Sequence, residues 1–197
     1  MKAALVVFDG MTMLDFIGFY DAITRLPRMG LMPHFAWNVC ALQAQVSDER
    51  GLRLAADRVG ETLQGYDLLY VPGGMGTRSL QHDRVFVDWL RSASGAELKV
   101  SVCTGALLLG AAGFLRGLTA TTHPSALEEL EPYCAQVVRS RIVDQGPVVT
   151  AGGVSTSIDL GLHIVARLAG SDARERIARQ MDYPYRADAQ GRAFTEG

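Results

Sequence analysis

Short, continuously apolar runs alternate along this chain with segments of helical periodicity. The runs over 3–8, 35–41, 68–71, 100–102, 136–138, 142–144 and 148–151 predict strands. Runs such as AALVVF and LLYV lack the in-and-out alternation of a half-exposed strand, as expected when helices cover both faces of a parallel sheet. Helices are predicted over 14–26, 85–93, 105–112, 125–130, 155–168 and 172–181. In the fifth, Ile158, Leu162, Val165 and Ala169 recur one turn apart and define a buried face. In the sixth, Ala173, Ile177 and Met181 form a narrow apolar stripe, with Glu175 and Arg179 one turn apart on the wet side. Strands and helices in alternation place the chain in the α/β class. No repeat or low-complexity linker interrupts it, so one domain is expected over 1–181. The tail, 182–197, loses the helical period and is expected to be a surface strap or a frayed end.

Charge and composition narrow the function classes. The chain carries 19 Lys+Arg against 21 Asp+Glu, a net charge of -2, which leaves no basic excess for phosphate and argues against a nucleic-acid partner. Its longest uncharged apolar run, GALLLGAAGFL at 105–115, falls short of the roughly 20 residues of a membrane span. The apolar start ends at Asp9 and Gly10 without a small-residue cleavage site, so a cytoplasmic location is expected. Cys40, Cys103 and Cys134 are odd in number and widely spaced, which suits neither a disulfide framework nor a zinc cluster. No acidic or His/Cys spacing resembles a metal site.

The most informative segment is VSVCTGALLLGAAGFLRG, where an apolar strand runs into Cys103 and then into a helix. A nucleophile on such an elbow points off the sheet, beside the free N–H groups of the new helix, whose dipole favours a thiolate. Those amides could also hold developing negative charge on a substrate. The competing reading makes Cys103 a small buried hydrophobe, the reading that Cys40, inside a strand-like run, keeps. A second turn, Pro72 to Thr77, is rich in glycine and follows a strand, which puts it at the carboxyl edge where ligands bind in parallel sheets; alone it is equally an ordinary strand-to-helix turn. Asp15, between Leu14 and Phe16, reads either as a helix N-terminal cap or as a desolvated carboxyl carrying a proton beside the thiol. Asp9 and Asp21 are its rivals. Thr104, not histidine, follows the cysteine, so a Cys-His hydrolase would need a base from afar. His123 in ATTHP is the candidate, with a structural histidine as the alternative.

Together, PGGMG, SVCTGALLLGAAGFLRG, ATTHP and TAGGVSTSIDLGLHI resemble the DJ-1/PfpI superfamily over residues 1 to about 181, and within it the isonitrile hydratase branch, with Asp15, Cys103 and Thr104 at the matching places. The resemblance implies a flavodoxin-like three-layer sandwich with a mostly parallel sheet and a nucleophile elbow, assembled as a homodimer, with no cofactor. It implies Cys103 as nucleophile with Asp15 beside its sulfur. It also implies an oxyanion-type pocket from the amides of Gly74 and Thr104, a Thr104 hydroxyl that orients water or substrate, and an approach to the substrate by Gly153, Val154 and Ser155. The implied reaction adds water to an isonitrile, a small-molecule substrate, to give an N-substituted formamide through a Cys103 thioimidate. The alternatives are a ligand- or redox-sensing domain without turnover and a Cys-dependent amidase or glyoxalase-type enzyme. Phe19 after Gly18 and Pro124 after His123 depart from the family pattern and mark where a reshaped pocket is expected.

Overall fold

A computed structural model describes residues 1–184, together with the backbone of 186–187 and 193–194. The first half runs β1 (Lys2–Val6), α1 (Met13–Ile23), α2 (Arg25–Arg28), β2 (Ala36–Ala41), β3 (Gln45–Ser47), β4 (Arg53–Ala55), β5 (Arg58–Val59), β6 (Leu68–Val71), α3 (Thr77–Leu80) and α4 (Arg84–Arg91). The second runs β7 (Leu98–Val102), α5 (Gly105–Ala111), β8 (Thr119–Ala120), α6 (Leu127–Leu130), β9 (Gln136–Val137), β10 (Ile142–Asp144), β11 (Val148–Ala151), α7 (Thr156–Ala169) and α8 (Ser171–Gln180), followed by the strand pair β12 (Arg186–Ala187) and β13 (Ala193–Phe194).

Seven strands form the central sheet in the order β10-β11-β7-β6-β1-β2-β5. Every neighbouring pair is parallel except the edge hairpin β10-β11. Ala3 faces Leu68, Leu68 faces Leu98 and Val148 faces Lys99 across the ladder, so the ends of β1, β6, β7 and β11 finish at one edge. Every residue of β6, β7 and β11 is buried, including the polar Lys99, Ser101 and Thr150, as in a parallel sheet covered on both faces. The result is a mostly parallel sheet flanked by helices, the fold class anticipated from the sequence.

Helices α1, α7 and α8 pack as one group, and α5 packs on β6 and β7 with α3, α4 and α6 around it. Two glycines set the spacing of the first group. A Cβ on Gly18 would run into the Ser157 hydroxyl, and one on Gly161 would lie 2.7 Å from the Ala22 Cβ, so α1 and α7 close to a distance only glycine allows. Phe19, fully buried, stacks on Tyr70 with ring centroids 3.8 Å apart. This departure from the family pattern is therefore a core residue and not part of a pocket.

The pattern misjudged some boundaries. The helix expected over 14–26 stops at Thr24, whose hydroxyl donates to the Tyr20 carbonyl at 2.7 Å, and the chain restarts as α2 across Pro27, which has no N–H to continue the ladder. The run 136–138 forms a strand, but β9 pairs with β8 in a separate ladder outside the main sheet. The helix expected over 125–130 opens with a 3-10 turn at Pro124–Ala126 before α6. The hairpin β3-β4 and the edge strand β5 are short and largely polar, and no apolar run announces them. Among the described residues no helix is long and apolar enough to cross a membrane. Of the tail from 182 on, Tyr183 reaches back to donate its hydroxyl to Asp159 at 2.6 Å. Beyond residue 184, only the backbone of the antiparallel pair β12-β13 belongs to the described part of that tail.

Candidate active site

Cys103 sits between β7 and α5 with φ of 54°, the left-handed region that a side chain rarely adopts. Its own peptide is clamped there. The N–H donates to the carbonyls of Ala151 and Gly152 at 2.9 and 3.0 Å, and the Thr122 hydroxyl donates to its carbonyl at 2.8 Å. The thiol is 5% exposed. A strained residue held by three hydrogen bonds from two other strand ends is the elbow that the sequence suggested.

The glycine turn after β6 lies against it. A Cβ on Gly73 would stand 2.7 Å from the Cys103 Cβ, 2.6 Å from the Thr104 nitrogen and 2.9 Å from Asp15 Oδ2, so the absent side chain is what lets these groups meet. Asp15, on the first turn of α1, is fully buried. Its Oδ2 accepts the Gly73 N–H at 3.0 Å, and its Oδ1 has no hydrogen-bond partner within the protein. The carboxylate thus turns away from the amides of its own helix and toward the thiol, and of its two readings the geometry selects the carboxyl beside sulfur over the cap.

Burial pushes the Asp15 carboxyl up to about 7, against the Gly73 amide, which favours the ionised form. Burial and the neighbouring Asp15 charge push the Cys103 thiol up to about 12, opposed by the Thr104 amide. Desolvation and the neighbouring carboxylate thus work against the thiolate that the helix terminus is expected to favour, and they favour the thiol.

The other expected site residues divide. Thr104 is beside the sulfur, but its hydroxyl donates to the Gly74 carbonyl at 3.0 Å and accepts the Gly74 N–H at 2.9 Å. It braces the glycine turn through both of these bonds. The Gly74 N–H can serve an oxyanion only if that bond opens. Gly153 packs under the ring of His123, so closely that a Cβ there would overlap the ring. His123 accepts the Ser125 N–H at Nδ1 and pairs with the Ser125 hydroxyl at 2.8 Å; it makes no hydrogen bond to Cys103. Val154 is half-buried and Ser155 exposed at the start of α7. Asp9 accepts the Ser47 N–H and Asp21 pairs with Arg25, which removes both rivals of Asp15 from the site. The sequence reading missed Gly73 as the donor that orients Asp15, and Thr122 and Gly152 as the clamp on Cys103. The ATTHP and AGG segments held the signal, but only the pairing of β7 with β11 shows which of their groups face the elbow. Among the described residues no three His, Cys, Asp or Glu side chains are grouped to hold a metal ion.

Residues 1–167 match the model of the DJ-1/PfpI family. The chain is 34% identical to isonitrile hydratase of Pseudomonas putida over 184 residues, which is 93% of this chain and 78% of that one. Among solved structures it is similar to a THiJ/PfpI family protein from Pseudomonas syringae, with a TM-score of 0.84 and 27% identity over 98% of this chain and 81% of the other. Drosophila melanogaster DJ-1beta shares the fold, with a TM-score of 0.81 and 23% identity over 93% and 98% of the two chains.

Proposed function

This chain belongs to the DJ-1/PfpI family, and from that premise we propose that it is an isonitrile hydratase-type enzyme, a lyase in which Cys103 and Asp15 add water to an isonitrile. The observation that carries the reading is the buried pair itself: a neutral thiol beside a carboxyl whose Oδ1 has no protein partner.

In the ionised state Asp15 takes the proton of the Cys103 thiol. The resulting thiolate forms a bond to the terminal carbon of the isonitrile, and Asp15 returns the proton to that same carbon, giving a thioimidate, Cys–S–CH=N–R. Water then adds to the C=N carbon while Asp15 takes one of its protons and passes it to the nitrogen. The C–S bond of the tetrahedral adduct breaks as its hydroxyl proton leaves, releasing the formamide and the thiol. One isonitrile and one water are consumed, and no redox partner is needed.

The committed donors favour this chemistry over acyl transfer. An amidase develops an oxyanion and needs open amides to hold it, whereas the Gly73 N–H is held by Asp15 and the Gly74 N–H by Thr104. A histidine base is also missing from the sulfur, because His123 bonds to Ser125. The thioimidate route asks instead for one proton carrier beside sulfur. Thr104 acts here as a positioning residue, its amide on the sulfur and its hydroxyl on Gly74. Gly153, Val154 and Ser155 form the flank along which the substituent R passes.

The proposal includes a homodimer, for which Leu14 and Ile17, 49% and 42% exposed on either side of Asp15 along α1, offer an apolar surface next to the site. The test of function is direct: purified protein mixed with cyclohexyl isocyanide yields N-cyclohexylformamide, and the Cys103→Ala protein, folded as judged by circular dichroism, yields none. Formamide production by folded Cys103→Ala, or none by the wild type, overturns the reading.

A further inference from the structure

A cleft of about 290 Å³ opens beside the elbow. It is lined by Thr122 and Gly152, the two residues that hold the Cys103 peptide, by Pro124, Leu127, Arg139 and Arg141, and by Gly153 of the proposed substrate flank. Cys103, Asp15 and Gly73, which meet one another at the glycine turn, are not among its lining residues.

The two arginines differ. Arg141 is spent: its Nε and a terminal nitrogen both reach Asp159 Oδ2, and Tyr183 donates to the other oxygen of the same carboxylate. Arg139 makes no ion pair and no hydrogen bond among the described residues, and it stands on the connection between β9 and β10 at the cleft's rim. The Arg141 charge is neutralised by Asp159, which leaves the cleft one positive charge, that of Arg139. A guanidinium presents a planar fork of donors that matches a carboxylate in two parallel hydrogen bonds. Pro124 and Leu127 add apolar lining to the same cleft, and the volume lies at the small end of ligand cavities.

We propose that this cleft is a second ligand site, separate from the thiol, that binds a small carboxylate-bearing molecule with its anion on Arg139 and its apolar part against Pro124 and Leu127. The site does not depend on isonitrile turnover.

The test is calorimetric titration of the full chain with cyclohexanecarboxylate and, as its uncharged counterpart, cyclohexanecarboxamide. The carboxylate binds with at least tenfold higher affinity than the amide. Arg139→Ala lowers carboxylate affinity by tenfold or more, Arg139→Lys lowers it less, and both variants keep the wild-type circular dichroism spectrum. Cys103→Ser keeps the affinity within about twofold. The proposal is overturned if neither compound binds, if acid and amide bind alike, or if Arg139→Ala binds as wild type. Loss of binding in Cys103→Ser would place the carboxylate at the thiol and overturn it as well. Equal competition by sulfate would show an anion surface without a fitted site, with the same consequence.

Discussion

The Asp15 carboxyl lies beside the Cys103 thiol, both against the Gly73 turn, and this proximity drives the two acidities apart. The Gly73 amide, and after it the neighbouring thiol, favours the ionised carboxylate, so Asp15 sits lower than burial alone would put it. The same carboxylate disfavours a second negative charge at sulfur, so Cys103 sits higher than burial alone would put it. Near neutral pH the pair therefore holds the thiol proton firmly while the carboxyl changes its ionisation.

The activity should follow the carboxyl. Ionised Asp15 is the form that accepts the thiol proton, so kcat/KM for cyclohexyl isocyanide should rise with pH through about 7 and stay level above it, the thiol titrating only near 12. Asp15→Asn keeps the size but cannot carry the proton, and turnover per folded molecule should fall about 10²–10⁴-fold. A pH-rate profile flat across pH 5 to 9 would remove Asp15 from the proton path.

Stability should move the opposite way. Asp15 has its folded-state acidity raised from 3.8 to about 7, so the folded protein holds a proton that the unfolded chain gives up. That contribution is complete below about pH 4 and is lost as pH rises through 7. Asparagine does not ionise and escapes the loss, so Asp15→Asn should gain stability over wild type between pH 5 and pH 8, by an amount on the order of a few kcal/mol. Urea denaturation at the two pH values measures it. A variant less stable at both would restore the helix-cap reading of Asp15.

Removing the carboxylate also frees the thiol. With the Asp15 charge gone, the cause that adds to burial in raising Cys103 disappears, and iodoacetamide should alkylate Cys103 faster in Asp15→Asn than in wild type at pH 8. Cys40, fully buried in β2, serves as the internal control in peptide mapping and should not change.

Thr104 separates bracing from contact with substrate. Thr104→Val leaves the buried Gly74 N–H without an acceptor, at a cost of about 1–3 kcal/mol. Thr104→Ser keeps both hydrogen bonds and should retain stability and turnover alike. If Thr104→Val loses turnover at wild-type stability, the hydroxyl acts on substrate and not on the glycine turn.

The homodimer is checked by light scattering at micromolar concentrations, where twice the chain mass is expected. Ile17→Lys puts a charge on the exposed apolar face of α1 and should shift the mass toward the monomer. A monomer mass for the wild type would remove the dimer from the proposal.

The sequence by itself determined the parts whose signal is local. Apolar runs without alternation, as in AALV and LLYV, can be satisfied only between two helical layers, and they became the buried parts of β1 and β6. The strand-cysteine-helix junction marked Cys103, because an elbow is written in consecutive residues. Tertiary structure decided what depends on partners distant in the chain. Whether Asp15 caps its helix or faces sulfur turns on the Gly73 amide, 58 residues away, and the state of the thiol turns on desolvation that no local pattern records. The run at 136–138 could extend the sheet or pair elsewhere, and it met Thr119–Ala120 instead. A hydroxyl such as that of Thr104 is a free donor on paper. Only packing, by bringing Gly74 within 3.0 Å, commits it.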